Sequence, residues 1–276
     1  MNFFDLGLST DTIKAMEELG ITEPTTVQVD VIPSILQGKD IFTIAPQCCG
    51  KTCSYVFPLL DVISKANHSK NSPSQNILII TPDSQQSVAV SDFLAIFNKY
   101  HEINEATLKN SEDDINNEAN VIIGSPDLLV ELLANNKIDL SKVNILVVDD
   151  INLIKKRKQL ANLEKILEIL PAEKQNIVYT NRRSKETQDI LDKILKTPQE
   201  IKIDKNKEQE AQHAANSEKF IESHSTQKKN VSKSVAHFIE PVTDNEALEL
   251  IKKFDAFAGK TPTFITYQGI LAQDNA

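Results

Sequence analysis

Residues 41–52 read I-F-T-I-A-P-Q-C-C-G-K-T, and no other stretch of the 276-residue chain limits its possible folds so tightly. The first four residues are apolar or β-prone, as in a strand buried on both faces. The next eight have the form A-x-x-x-x-G-K-T, one residue away from the phosphate-binding pattern G-x-x-x-x-G-K-[ST]. Ser54, Tyr55, Val56 and Phe57 continue as a helix. A strand, a tight loop and a helix N-terminus in that order aim backbone N–H groups at an anion. The pattern gives phosphate contacts to the loop residues Gln47, Cys48, Cys49 and Gly50. It gives the β- and γ-phosphates to Lys51 and a Mg²⁺ ion to the Thr52 hydroxyl. Two residues depart from it: Ala45 stands at the usual first glycine, and Cys48 falls where a second glycine is common. A left-handed backbone at Cys48 predicts strain there.

Composition narrows the partners. A formal charge of −9 has the wrong sign for a non-specific nucleic-acid binder, so any such contact needs a local basic patch. Arginine is scarce, at Arg157, Arg182 and Arg183, with none in the first 150 residues. No run of 18 apolar residues is present, and the N-terminus lacks the basic-then-apolar form of a signal peptide. The expectation is a cytoplasmic protein without a membrane span. Cys48, Cys49 and Cys53 all fall in or beside the loop. With no C-x-x-C pair and no nearby histidine, they read as small side chains filling a tight turn. A reactive thiolate at the helix N-terminus is the alternative.

Taken in order, the chain predicts a helix over 6–19, capped by Ser9 or Thr10 and ended by Gly20, then a short amphipathic helix over 29–36. Apolar strands are expected at 76–80, 120–123, 144–148 and 175–179, with amphipathic helices at 160–170 and 184–195 and a closing strand at 197–203. Apolar strands alternating with helices indicate an α/β fold, a mainly parallel sheet with helices on both faces. Asp149 and Asp150 follow the strand at 144–148. They read either as a polar strand end or, given the loop upstream, as acids for a metal and a water molecule.

A G-x-x-x-P-T-x-x-Q segment at 20–28, Phe3 placed 17 residues before its start, and the A-x-x-x-x-G-K-T loop close behind resemble the opening of a DEAD-box RNA helicase. The resemblance implies a RecA-like ATP-binding domain over 1–203, a polar linker over 204–234, and the β-α-β start of a second such domain over 235–276. It implies ATP and Mg²⁺ as cofactors and RNA as partner. Gln28 would read the adenine edge, and Phe3 would pack on the base. Asp149 would hold Mg²⁺, partly through water, and Asp150 would orient the attacking water. The family's D-E-A-D becomes Asp149-Asp150-Ile151-Asn152 here, and its S-A-T becomes Thr180-Asn181-Arg182. Of the family's first RNA-contact motif only Pro82 survives, with Ser84 in place of an arginine; of its second, Ser125 and Pro126 survive, with Leu128 in place of an arginine. These losses predict weak, salt-sensitive RNA binding. The short Asp150 side chain and the missing bulk of a second domain predict weak ATPase and little autonomous unwinding. Two alternatives remain at this stage. One is a catalytically dead remnant acting as a protein- or RNA-interaction module, or a truncated gene product. The other is a phosphate-loop ATPase acting on something other than RNA.

Overall fold

The computed structural model describes residues 1–68, 76–101, 103–110 and 119–203; the linker expected at 204–234 and the second-domain start expected at 235–276 lie outside the described residues. In chain order the elements are α1 (Thr10–Glu17), α2 (Thr26–Leu36), β1 (Ile41–Ile44), α3 (Lys51–His68), β2 (Ile77–Ile80), α4 (Ser84–Phe97), β3 (Glu105–Thr107), β4 (Val121–Gly124), α5 (Pro126–Ala134), β5 (Ile145–Val148), α6 (Ile151–Lys156), α7 (Leu160–Ile169), β6 (Gln175–Thr180), α8 (Lys185–Ile194) and β7 (Gln199–Lys202). Among the described residues no helix is long and apolar enough to cross a membrane.

The strands form one sheet in the order β3-β4-β2-β5-β6-β1-β7, and every pairing is parallel. Side chains on a strand point alternately to opposite faces, so a sheet covered twice needs apolar residues at both parities. β5 shows this directly. Ile145 and Val147 join one buried cluster with residues of α1, α2, α3 and α4, while Leu146 and Val148 join a second with α5, α6, α7 and α8. The first four helices thus cover one face and the last four the other. At one edge, β7 buries only Ile201 of its four residues. At the other edge, β3 is an unexpected strand of three half-buried residues, Glu105, Ala106 and Thr107. A segment so short and polar carries no period-2 apolar signal, and only pairing with β4 orders it.

The helix expected at 29–36 begins at Thr26, because Thr25 is its N-cap and the Gln28 side chain reaches back to accept from the Thr25 N–H at 3.0 Å. Helix α1 starts as expected behind Ser9, whose hydroxyl accepts from the Thr12 N–H. A buried acid pins that end to α3. Asp61, 1% exposed, accepts from the Ser9 N–H and hydroxyl at 2.6 Å each and from the Thr12 hydroxyl at 2.5 Å. The Thr12 oxygen lies 2.9 Å from Nε2 of buried His101. Since the Thr12 hydrogen goes to Asp61, Nε2 must donate, which leaves Nδ1 as a buried acceptor with no partner among the described residues.

Burial holds the His101 pKa below its ordinary value, against the pull of Asp61 and Asp11. The unfolded chain therefore takes up this proton first as the pH falls. The neutral imidazole contributes its stability above about pH 6.5 and loses it below. Urea unfolding from pH 7.5 to 5 should show a midpoint that falls more steeply for the parent chain than for His101→Gln. Parallel slopes would refute the assignment.

Candidate functional site

In an all-parallel sheet every strand ends on the same edge, and here the ends of β5, β6 and β1 stand side by side. The loop after β1 crosses that edge. Ala45, almost fully buried, donates its N–H to Thr180 O at the end of β6 at 3.0 Å. The loop then makes two left-handed turns of backbone, at Cys48 (φ 67°) and Gly50 (φ 87°), before α3 begins at Lys51. The strain expected at Cys48 is present, because its φ lies in the region that side chains disfavour. Gly50 leaves no room for an alternative. A Cβ there would sit 2.7 Å from Gln28 Nε2 and 3.0 Å from Thr25 Oγ1.

Those two neighbours hold the loop in place. The Thr25 hydroxyl donates to Cys49 O at 3.0 Å and Gln28 Nε2 to Gly50 O at 3.4 Å. Gln28 is 2% exposed, and its amide already caps α2 with Oε1 and supports the loop with Nε2. One lone pair and one amide hydrogen remain for any further partner. Phe3 is 3% exposed and packs edge-on against Phe57 of α3 at 6.2 Å, while its neighbour Phe4 is 69% exposed. The structure thus uses Phe3 as a core residue, and little of its ring is left to meet a base.

Lys51 Nζ donates to Ala45 O at 3.3 Å, joining the two ends of the loop. The same ammonium is close enough to draw down the pKa of both Asp149 and Asp150 at the end of β5. Removal from water outweighs that pull. It raises Asp149 to about 6, with the neighbouring charge of Asp150 adding, and raises Asp150 as well. The Tyr55 hydroxyl donates to Asp149 Oδ2 at 3.2 Å, and the Thr52 side chain approaches the same hydroxyl. Thr52 and Asp149, far apart in sequence, therefore meet around Tyr55. The Tyr55 ring packs against Tyr179 of β6 at 5.5 Å, and the Tyr179 hydroxyl lies 2.8 Å from Ser54 Oγ. Sequence reasoning passed over both tyrosines, because an aromatic residue inside an apolar run reads as core. Cys53 packs against the core, and burial pushes its thiol up to about 12, away from thiolate chemistry.

Asp150 has a second duty. It is 5% exposed, takes a left-handed backbone (φ 64°), and as N-cap of α6 accepts from the Leu153 N–H at 3.3 Å. Asn152, the second residue of α6, keeps a link to the next strand end. Its Nδ2 donates to Thr180 Oγ1 at 2.7 Å, Asn181 Oδ1 at 3.1 Å and Arg182 O at 2.7 Å. An uncharged amide thus bridges the ends of β5 and β6.

The expected RNA-contact residues also share this edge. β2 and β4 are neighbours, and the Thr81 N–H donates to Gly124 O at 3.0 Å, so Pro82 lies near Ser125 and Pro126. Pro82, Ser125 and Pro126 are buried, however, and Leu128 packs in the core. What this edge presents to a ligand is the exposed Ser84 and Gln85 at the start of α4 and Asp127 in the first turn of α5.

The oxygen donors here, a threonine hydroxyl and two carboxylates, suit Mg²⁺. Among the described residues no group of three or more His, Cys, Asp or Glu could hold a metal ion.

A family model described as DEAD/DEAH box helicase matches residues 25–190. The DEAD-box ATP-dependent RNA helicase RhpA of Helicobacter pylori is 27% identical over 208 residues, covering 73% of this chain and 41% of that protein. The ATP-dependent RNA helicase DeaD of Escherichia coli is 26% identical over 208 residues, covering 73% and 32%. The chain thus spans well under half the length of these curated relatives. A DEAD box protein from the hyperthermophile Methanococcus jannaschii superposes with a TM-score of 0.65 at 22% identity, covering 75% of this chain and 57% of that one. At that identity the likeness shows the fold, a RecA-like domain.

Strain and crowding in the loop make opposite predictions for its two left-handed residues. Gly50→Ala adds about 1–2 kcal/mol of backbone cost and a clash with Gln28, so its urea midpoint should fall. Cys48→Gly removes a comparable strain, partly offset by the greater freedom of glycine in the unfolded chain, so its midpoint should hold or rise. Equal loss in both variants would show that backbone conformation is not what these positions select.

Proposed function

Because the chain belongs to the DEAD/DEAH box helicase family, we propose that residues 1–203 bind Mg-ATP at the ends of β1 and β5 and contact RNA along the ends of β2 and β4. One observation carries the nucleotide reading: Lys51, Thr52, Asp149 and Asp150 converge, with Tyr55 between Thr52 and Asp149. A phosphate-loop lysine and threonine beside a half-buried Asp149 and a buried Asp150 support that reading. The loop backbone from Gln47 to Gly50 cradles phosphate through its N–H groups. Lys51 exchanges the Ala45 carbonyl for the β- and γ-phosphates. Mg²⁺, when bound, neutralises charge on those phosphates. Thr52 and Asp149 would hold it, the latter with its Oδ2 fixed by Tyr55. Gln28 offers its remaining donor and acceptor to adenine, so base recognition and loop support share one amide.

Asp150 is the residue for orienting the attacking water, and here it limits the rate. It is one methylene shorter than glutamate, and its carboxylate is partly committed to capping α6. A displacement near 1 Å costs on the order of a hundredfold in rate. This dual duty favours a second reading beside the first, a domain that binds nucleotide and responds to it with little turnover. Segments 204–234 and 235–276 enter the proposal as a linker and the start of a second RecA-like domain.

The deciding measurement is a titration of a fluorescent ATP analogue with Mg²⁺, with and without single-stranded RNA, beside Lys51→Ala. Saturable binding lost in the variant, and tightened by RNA, is expected. No binding by the parent chain would leave the non-enzymatic remnant as the reading. In the same assay Asp150→Glu should raise ATP hydrolysis by tenfold or more while lowering the urea midpoint. That midpoint shift reflects the loss of a good cap, worth about 1 kcal/mol. An unchanged rate would remove Asp150 from the water-orienting role.

A further inference from the structure

The loops after β2 and β4 have lost the cations that would meet RNA phosphates, yet the same edge carries a run of four basic residues that neither loop contains. Lys155 and Lys156 end α6, Arg157 is its C-cap, and Lys158 follows in a left-handed conformation (φ 63°). Beside them, the turn after β6 holds Arg182 and Arg183, and Lys185 opens α8. Two of the three arginines of a chain with a formal charge of −9, Arg157 and Arg182, thus follow the ends of α6 and β6, while Arg183 turns over the Phe42 ring to Glu200.

The geometry joins this strip to the depleted loops. Arg157 crosses to the β2–α4 turn and pairs with Asp83 at 2.7 Å, which sets its guanidinium next to Ser84, the residue that stands where an arginine was expected. The pair is solvent-accessible, with the Arg157 side chain 59% exposed, so water already competes for it and phosphate can replace it at little cost. Lys155 is occupied by Glu186 and Arg183 by Glu200. Lys156, Lys158, Arg182 and Lys185 are exposed and carry no ion pair among the described residues.

Building on the RNA reading above, we infer that the Lys156-Arg157-Lys158 strip is a phosphate-contact surface for single-stranded RNA and replaces the cations missing after β2 and β4. A run of like charges is commonly just a solvated face. Two features separate this one from that case. It adjoins the ends of β2 and β4, along which the proposed function runs RNA. It also lacks exposed large apolar side chains: those among the described residues are Met1, Phe4, Leu19 and Ile169, and none lies in the strip. A protein interface would be expected to centre on such residues.

The test uses the full chain and a fluorescent oligouridylate, with affinity measured from low to high salt. Each phosphate contact on a single strand contributes about 0.7 to the slope of log affinity against log salt. The triple variant Lys156→Gln, Arg157→Gln, Lys158→Asn should lower that slope by about 2 and weaken binding at moderate salt on the order of a hundredfold. Asparagine suits the left-handed position, so folding is preserved, and binding of the ATP analogue should not change. The charge-preserving variant Lys156→Arg, Arg157→Lys, Lys158→Arg should keep the parent slope. An unchanged slope in the neutral variant would overturn the inference and leave the RNA reading of the other loops intact. So would loss of binding to polyglutamate with RNA binding unaffected, since that marks an acidic protein as the partner. A parent chain with no salt-dependent RNA binding would remove both readings. Failure of ATP-analogue binding alone would leave the strip standing.

Discussion

Burial of one parallel sheet on both faces is the constraint from which the rest of this molecule follows. Each strand must supply apolar side chains upward and downward; β2 and β5 do so at every position, and β1 at all but Thr43. Most polar chemistry is thereby pushed from the central strands to their ends. Parallel direction places those ends on a single edge. The loop after β1, the acids after β5, the amide-bonded turn after β6 and the basic strip after α6 share that edge because nowhere else in the sheet tolerates them.

Much of this was legible in the sequence, because buried parallel strands are read as apolar runs and capped helices as patterns of threonine, serine and glycine. The G-K-T triplet located the loop, and the glycine preference at Cys48 raised the question of a positive φ that the structure answers with 67°. What escaped reading depends on distance through space. Phe3 and Phe4 are adjacent and chemically identical, and only packing decides which one is buried. Tyr55 and Asp149 are 94 residues apart, and nothing local to either predicts their bond. β3 has no apolar pattern of its own and exists because β4 offers it an edge. Asp83 and Arg157 meet only because α6 projects toward the β2–α4 turn.

The departures from the family pattern have structural rather than random homes. Leu128 fills the core beneath α5, where an arginine's charge would have had to reach water. Asp150 suits a left-handed cap, a conformation that the short acidic side chain tolerates better than a longer one. Gln28 is tied to its own helix and to the loop at once. Each substitution settles the fold locally while loosening its fit to a ligand.

Asn152 shows how such a compromise behaves in time. Its amide nitrogen owns two hydrogens, yet three oxygens crowd it from the end of β6. At any instant one of Thr180, Asn181 and Arg182 must go short. The shortage can pass from one to another by small rotations, without the bridge ever breaking. Two strand ends coupled in this way remain joined whichever two of the three acceptors are served, like parts held by a slotted pin rather than a rivet. A change felt at Asp150 would reach the turn after β6 as a redistribution among three near-equal partners.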